Sequence, residues 1–222
     1  MHQLEPLTDI ETRVLGCLVE KEISSAKANP LTLNALTGAC NQKSSRVPVV
    51  DYDDATVVRG LDGLRQKKLA VKVHKAGSRV PKYEHLMREK LDLTRKELAL
   101  LCVLMLRGPQ TLGELRGRTE RMYTFQTLGE VEEAVGGLEG EERPYVMLLP
   151  RRAGQKERRY VHLLAGEPEI PDEDEALPPE AAVVRVREAD DRIQALEAEV
   201  EALREEMAAL RKTFETFKSQ FE

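Results

Sequence analysis

Two stretches of the chain carry the same order of apolar and polar positions. LTDIETRVLGCLVE (7–20) and LTRKELALLCVLML (93–106) both open with Thr-x-x-Glu, at Thr8/Glu11 and Thr94/Glu97. That motif is a capping box, in which Thr and Glu each close an orphan amide at a helix start. Ile10, Val14, Leu15 and Leu18 then fall on one helical face. NPLTLNALTGAC and GPQTLGELRGRT come next, each a Pro-x-Thr-Leu step into a short helix that pairs Leu33/Leu36 with Leu112/Leu115. VVRGLDGLR and VEEAVGGLE follow as amphipathic helices, with Val58/Leu61/Leu64 and Val131/Val135/Leu138 facing inward. Each copy closes in a predicted hairpin, VKVHKAGSRVPKYEH and MLLPRRAGQKERRYVHL. The hairpins share an Ala-Gly tip and a Tyr-x-His return (Tyr83/His85, Tyr160/His162).

Helix, helix, helix, hairpin is the order of a winged helix. The pattern predicts a mainly α fold with small β wings. It consists of tandem winged-helix units at 1–88 and 89–165, a linker at 166–182 and a C-terminal coiled-coil helix at 183–222. The almost wholly apolar run Leu98–Leu106 exceeds what one face of so small a unit needs, so that helix is expected to pack on two sides. In the tail the apolar period changes. Val186, Ala189, Ile193, Leu196, Val200, Leu203, Met207, Leu210, Phe214, Phe217 and Phe221 alternate spacings of three and four. β-Branched residues at a and Leu at d favour a two-stranded parallel coil. The g–e′ pairs of such a coil are all opposite in sign: Arg185–Asp190, Arg192–Glu197, Glu199–Arg204 and Glu206–Arg211. The favoured partner is therefore a second copy in a parallel homodimer, through Ile193, Leu196, Val200, Leu203, Met207, Leu210, Phe214 and Phe217; an antiparallel pair also satisfies the charges, and a helix folded back on its own domain stays open.

Charge changes the picture of the partners. The 222-residue chain has a formal net charge of -5, which taken whole speaks against nucleic acid. By segment the net is +4 over 1–88, +1 over 89–165 and -10 over 166–222. The deficit belongs to the linker and coil. Residues 63–83 hold Arg65, Lys67, Lys68, Lys72, Lys75, Arg79 and Lys82 with no acidic residue. Since Lys and Arg contacts to phosphate supply most DNA affinity, this wing is the expected contact, with Lys43, Arg46 and Arg59 beside it. A Lys-rich hairpin is also a way to protect a sheet edge, and that reading stays open. The segment Ala39–Asp54 is long for a helix–helix connection. Its Asn41 and Gln42 are either contact residues or donors that pack the loop itself. The third helix of the second copy argues against DNA. Residues 122–142 carry Glu130, Glu132, Glu133, Glu139, Glu141 and Glu142 and no base. That surface suits a protein partner better.

No chemistry-bearing constellation stands out. Four scattered histidines and three cysteines show no zinc spacing, and no Gly-rich phosphate loop is present. Neither an enzyme nor a cofactor is expected, and Cys17 and Cys102 read as buried thiols. With no apolar run of membrane length and no secretory leader, the expected location is cytoplasmic.

The stretches LGCLVEKE (15–22), PLTLNAL and ACNQKSSRVPVV within 30–50, and GSRVPKYEH (77–85) resemble the YceH-like family of bacterial proteins over roughly residues 7–165. The resemblance implies two winged helices in a bacterial cytoplasmic protein. It implies no biochemical activity. The tandem layout is also similar to that of segregation and condensation protein B, a protein partner. Two functions follow as expectations: a DNA-associated regulatory protein dimerised by its coil, or a protein–protein adaptor that does not touch DNA.

Overall fold

Helix α1 (Asp9–Ser24) starts where the capping box places it. Thr8 N–H donates to Glu11 Oε2 at 2.7 Å, and Glu11 N–H donates to Thr8 Oγ1 at 3.2 Å. In this computed structural model, residues 5–25, 29–73, 80–140, 144–151 and 157–168 are described. The expected linker from 169 onward and the expected coil, with its eight proposed dimer residues, lie outside the described residues. So do Lys75 and Arg79 of the first wing, and Arg152, Lys156, Glu141 and Glu142 of the second copy.

After α1, strand β1 (Leu31–Thr32) leads into α2 (Leu33–Cys40), capped by Thr32 Oγ1. Helix α3 (Asp54–Gln66) follows the long connection and is capped by Asp53. Strands β2 (Ala70–Val73) and β3 (Lys82–His85) then pair antiparallel, with Val71 opposite Glu84. β1 joins the free side of β3, giving the order β1-β3-β2. A short helix α4 (Met87–Leu91) ends on Asp92 in the left-handed region (φ 52°).

The second copy repeats this order. α5 (Arg95–Arg107) opens with the Thr94/Glu97 capping box. α6 (Leu112–Thr119) has one of its own at Thr111/Glu114, and α7 (Leu128–Leu138) is capped by Thr127. Strands β4 (Val146–Leu148) and β5 (Tyr160–His162) pair antiparallel. A single bridge, Gln110 to Tyr160, stands where β1 stands in the first copy. Among the described residues the fold is thus mainly helical, with two small antiparallel sheets.

Glycine sets the helix spacing inside each copy. A Cβ on Gly60 would meet Ile10 Cγ2 at 2.9 Å, and one on Gly63 would collide with the Glu11 carboxylate. In the second copy the Cβ of a residue at Gly137, the counterpart of Gly63, would meet Glu97 Oε1 at 2.7 Å. In both copies the capping-box Glu of the first helix therefore rests on a glycine of the third, and only a missing side chain leaves room for it.

The two copies share one core. Leu98, Leu100, Leu101 and Leu104 are buried, and α5 packs on α1 on one side and on α6 and α7 on the other. Cys102 Sγ donates to Gly16 carbonyl oxygen at 3.4 Å, and a Cβ on Gly16 would meet Leu106 Cδ2 at 2.8 Å. Gly16 and Cys102 occupy the same position of the repeated helix. The helices thus cross at equivalent points, as at the axis of a symmetric dimer. Two backbone bonds tie the halves further: Val47 N–H to Leu106 O and Leu7 N–H to Leu164 O, both 2.8 Å.

Candidate functional site

The cations predicted to meet phosphate separate into two groups, those turned outward and those consumed within the fold. Arg46 belongs to the second. It is buried, and its guanidinium donates to both carboxylate oxygens of Glu20 (3.0 and 2.6 Å) and to Ala39 O (3.2 and 3.1 Å). Burial alone would raise the Glu20 carboxyl, but Arg46 more than offsets it and holds the group below the usual carboxylate range. Lys67 is consumed as well. Its Nζ donates to Pro6 O at 2.7 Å and to Glu11 Oε2 at 2.6 Å. Both were expected on the contact surface, and both are internal ties. Long-range carboxylate partners claim them, and a local charge pattern cannot show such partners.

The same holds for part of the α2–α3 connection. Asn41 clamps its far end, donating from Nδ2 to Tyr52 O and accepting from Tyr52 N–H, both at 2.8 Å. Gln42 Oε1 accepts from Arg46 Nη2 at 2.9 Å. Arg13, buried on α1, donates to Cys40 O at 3.3 Å and Pro48 O at 2.5 Å. Two buried arginines thus stitch the connection to α1 through its carbonyl oxygens, satisfying groups that would otherwise be orphaned. Lys43 and Ser44 are left outside, and Val47 and Val49 stand 62% and 57% exposed.

The outward group lies around the α3 C-terminus and the first sheet. Lys68 and Lys72 are exposed and Lys82 is half-buried, and none of the three has an ion-pair partner among the described residues. Arg65 is exposed but paired with Asp62 at 2.9 Å, and Arg59 donates to Thr56 Oγ1 at 2.9 Å. The outer stripe of α3 offers Ala55, Arg59, Asp62 and Gln66.

The matching stripe of α7 is Gly129, Glu133 and Gly136, with Glu132 beside it and Glu139 at its C-cap. Glu130 is not part of that acidic surface. Lys96 Nζ lies 2.9 Å from its Oε1, Tyr123 OH donates to it at 3.0 Å, and Gln126 N–H donates to Oε2 at 2.9 Å. The Lys96 hydrogen bond leads these in bringing its carboxyl down to about 2. In the second hairpin Arg159 turns back onto Glu114 at 2.6 Å.

Of the described histidines, His85 is held within the fold. His85 Nδ1 accepts from Met87 N–H at 3.2 Å, and its Nε2 stands 3.0 Å from Glu22 Oε2. Cys17, Cys40 and Cys102 are buried free thiols. Among the described residues no group of three His, Cys, Asp or Glu could hold a metal ion, and no helix is long and apolar enough to cross a membrane.

Residues 7–155 match the family described as "Protein of unknown function, DUF480". A UPF0502 protein of Geobacter sulfurreducens is 52% identical over 216 residues, covering 97% of this chain and 98% of that relative. Its counterpart in Geobacter metallireducens is 53% identical with the same coverage, and one in Opitutus terrae is 54% identical over 73% of this chain and 71% of its own length. The chain belongs to this bacterial family, the YceH-like group that its motifs resemble.

Proposed function

We propose that the protein is a DNA-associated regulatory protein of tandem winged-helix architecture, in which only the first half meets the duplex. The order α1-β1-α2-α3-β2-β3, with β1 added to the hairpin, supports the winged-helix reading. One observation carries the DNA reading. Lys68 and Lys72 are exposed and Lys82 half-buried on one hairpin and its approach, none of them ion-paired among the described residues, while neighbouring Lys67 is drawn inside. Phosphate contacts of this kind supply affinity without sequence information. Arg59 and Gln66 on α3 are the side chains with reach to base edges. The heptads of 183–222 join two such chains in parallel and raise avidity. No reaction chemistry or cofactor belongs to this reading.

Fluorescence anisotropy of a 25-base-pair duplex at ~50 mM salt tests it. The full chain is expected to bind at least tenfold more tightly than Lys68→Ala/Lys72→Ala/Lys82→Ala. Equal affinity of the two would remove the proposed surface.

The second half favours a different role. Exposed Glu132, Glu133 and Glu139 on α7, with Leu128 47% exposed beside them, repel phosphate and suit a protein partner. In the adaptor reading this face is the whole function. A pull-down whose partners persist after nuclease treatment, from a chain that shows no duplex binding, would establish it.

A further inference from the structure

The seam between the two halves carries one cation, Arg107, that no carboxylate pairs among the described residues. Arg107, the last residue of α5, is half-buried there, and its Nη2 donates to Ser45 Oγ at 2.6 Å. Among the described residues no carboxylate lies within ion-pair distance of it. Its neighbours are cations instead. The Gln110 side chain links it to Arg118, accepting from Arg118 Nη1 and donating from Nε2 to the Arg107 carbonyl oxygen at 3.2 Å. Burial holds the Arg107 guanidinium below the ordinary arginine range, and the like charges of Arg118 and Arg46 push the same way against a weaker opposing pull from Glu20.

The nearby carboxylates are committed elsewhere. Glu20 pairs with Arg46 at 2.6 Å, and Glu114 pairs with Arg159 at 2.6 Å and Arg118 at 3.3 Å. Neither carboxylate therefore pairs with Arg107, and exposed Lys43 and Ser44 immediately precede Ser45. A guanidinium partly out of water and flanked by its own charge is an unfavourable arrangement unless an anion completes it. Its planar fork fits two phosphate oxygens at once, which an ammonium does not. The Ser45 hydroxyl, already accepting from Arg107, retains its own proton to donate.

We propose that this seam binds a phosphate group, gripped by the Arg107 fork, with Ser45 orienting the guanidinium and Arg118 and Lys43 supplying charge. The site uses elements other than β2 and β3 and does not depend on the DNA reading. A phosphate of a nucleic-acid backbone and a free phosphate present the same chemistry to it.

The test uses the full chain, Arg107→Gln, Arg107→Lys and Arg118→Gln, each first melted in chloride. In the first arm, phosphate replaces chloride at constant ionic strength. Wild type is expected to melt about 3–5 °C higher once phosphate reaches roughly ten times its Kd. Arg107→Gln should lose that rise, and Arg107→Lys and Arg118→Gln should keep part of it. In the second arm, the salt dependence of duplex binding is measured, and Arg107→Gln should lower the log–log slope by about 0.9. A rise in the first arm that Arg107→Gln abolishes assigns a free phosphate, even if no duplex binds. A slope change alone assigns the nucleic-acid backbone. A wild type indifferent to phosphate with an unchanged slope in Arg107→Gln overturns the site, as does a rise that Arg107→Gln retains. Should Arg107→Gln not fold, Arg118→Gln and Arg107→Lys carry the comparison, and wild-type behaviour of both overturns the site equally.

Discussion

Replacing Gly63 with Ala should destabilise the protein although it improves helix propensity. In an open helical position the exchange gains roughly 1 kcal/mol. At Gly63 the new methyl group would enter the space of the Glu11 carboxylate. That carboxylate has little freedom to yield, because it accepts from Thr8 N–H at 2.7 Å and from Lys67 Nζ at 2.6 Å. Moving it away breaks the capping box, at about 1 kcal/mol. It also breaks a largely buried charge-assisted hydrogen bond, at about 1.5–3 kcal/mol. Set against the propensity gain, the net loss is about 1.5–3 kcal/mol. Urea unfolding should show a midpoint lower by about 0.5–1.5 M at an unchanged slope. Gly38→Ala is the internal control, since a Cβ there meets nothing within 4 Å. It should raise the midpoint. Glu11→Ala should also remove most of the Gly63→Ala penalty, a coupling above about 1 kcal/mol in the double-mutant cycle. A neutral or stabilising Gly63→Ala would refute the packing argument.

Other consequences are as direct. Arg46→Met leaves Glu20 with only the longer Lys21 pair (3.5 Å) beneath the α2–α3 connection and should cost about 3 kcal/mol by urea titration, whereas a surface arginine would cost almost nothing. The protein should also be acid-sensitive through His162, whose imidazole burial brings down to about 4. An imidazole that is harder to protonate when folded contributes stability above pH 6.5, and loses it as pH falls toward 4. A pH series of melts should show that loss, of up to about 3 kcal/mol, and His162→Gln should flatten the profile in that window. Sedimentation of the full chain against a 1–168 truncation should give dimer against monomer, and equal masses would remove the heptads as the dimer element.

The helices were legible because their signals are local. Thr8/Glu11 and Thr94/Glu97 mark helix starts within four residues, and the i, i+3, i+4 pattern supplies the rest. The repeat extended this reading to the hairpins. Strand β1 was not legible, since two residues carry no period and Leu31–Thr32 is a strand only because β3 lies beside it. The short α4 gave no signal either. The site was legible only as a surplus of charge. Sequence placed Arg46 and Lys67 among Lys43, Lys68 and Lys72, because nothing local separates a lysine facing water from one facing Glu11. The basic seam at Arg107 and Arg118 escaped for the converse reason. Arg107 and Arg118 lie on consecutive helices of the second copy, and the turn between α5 and α6 brings them to either side of Gln110.

The salt dependence of duplex affinity tests the central claim most directly. Three lysines without an ion-pair partner among the described residues, with Arg59 and Arg65 on the neighbouring α3, predict that log K falls against log salt with a slope of about -3 to -4 per chain. Removing Lys68, Lys72 and Lys82 should reduce that slope by about 2.7, while Glu132→Gln/Glu133→Gln on α7 should leave it unchanged. A chain that binds no duplex at ~50 mM salt, or whose slope ignores the three lysines and responds to α7, would contradict the account.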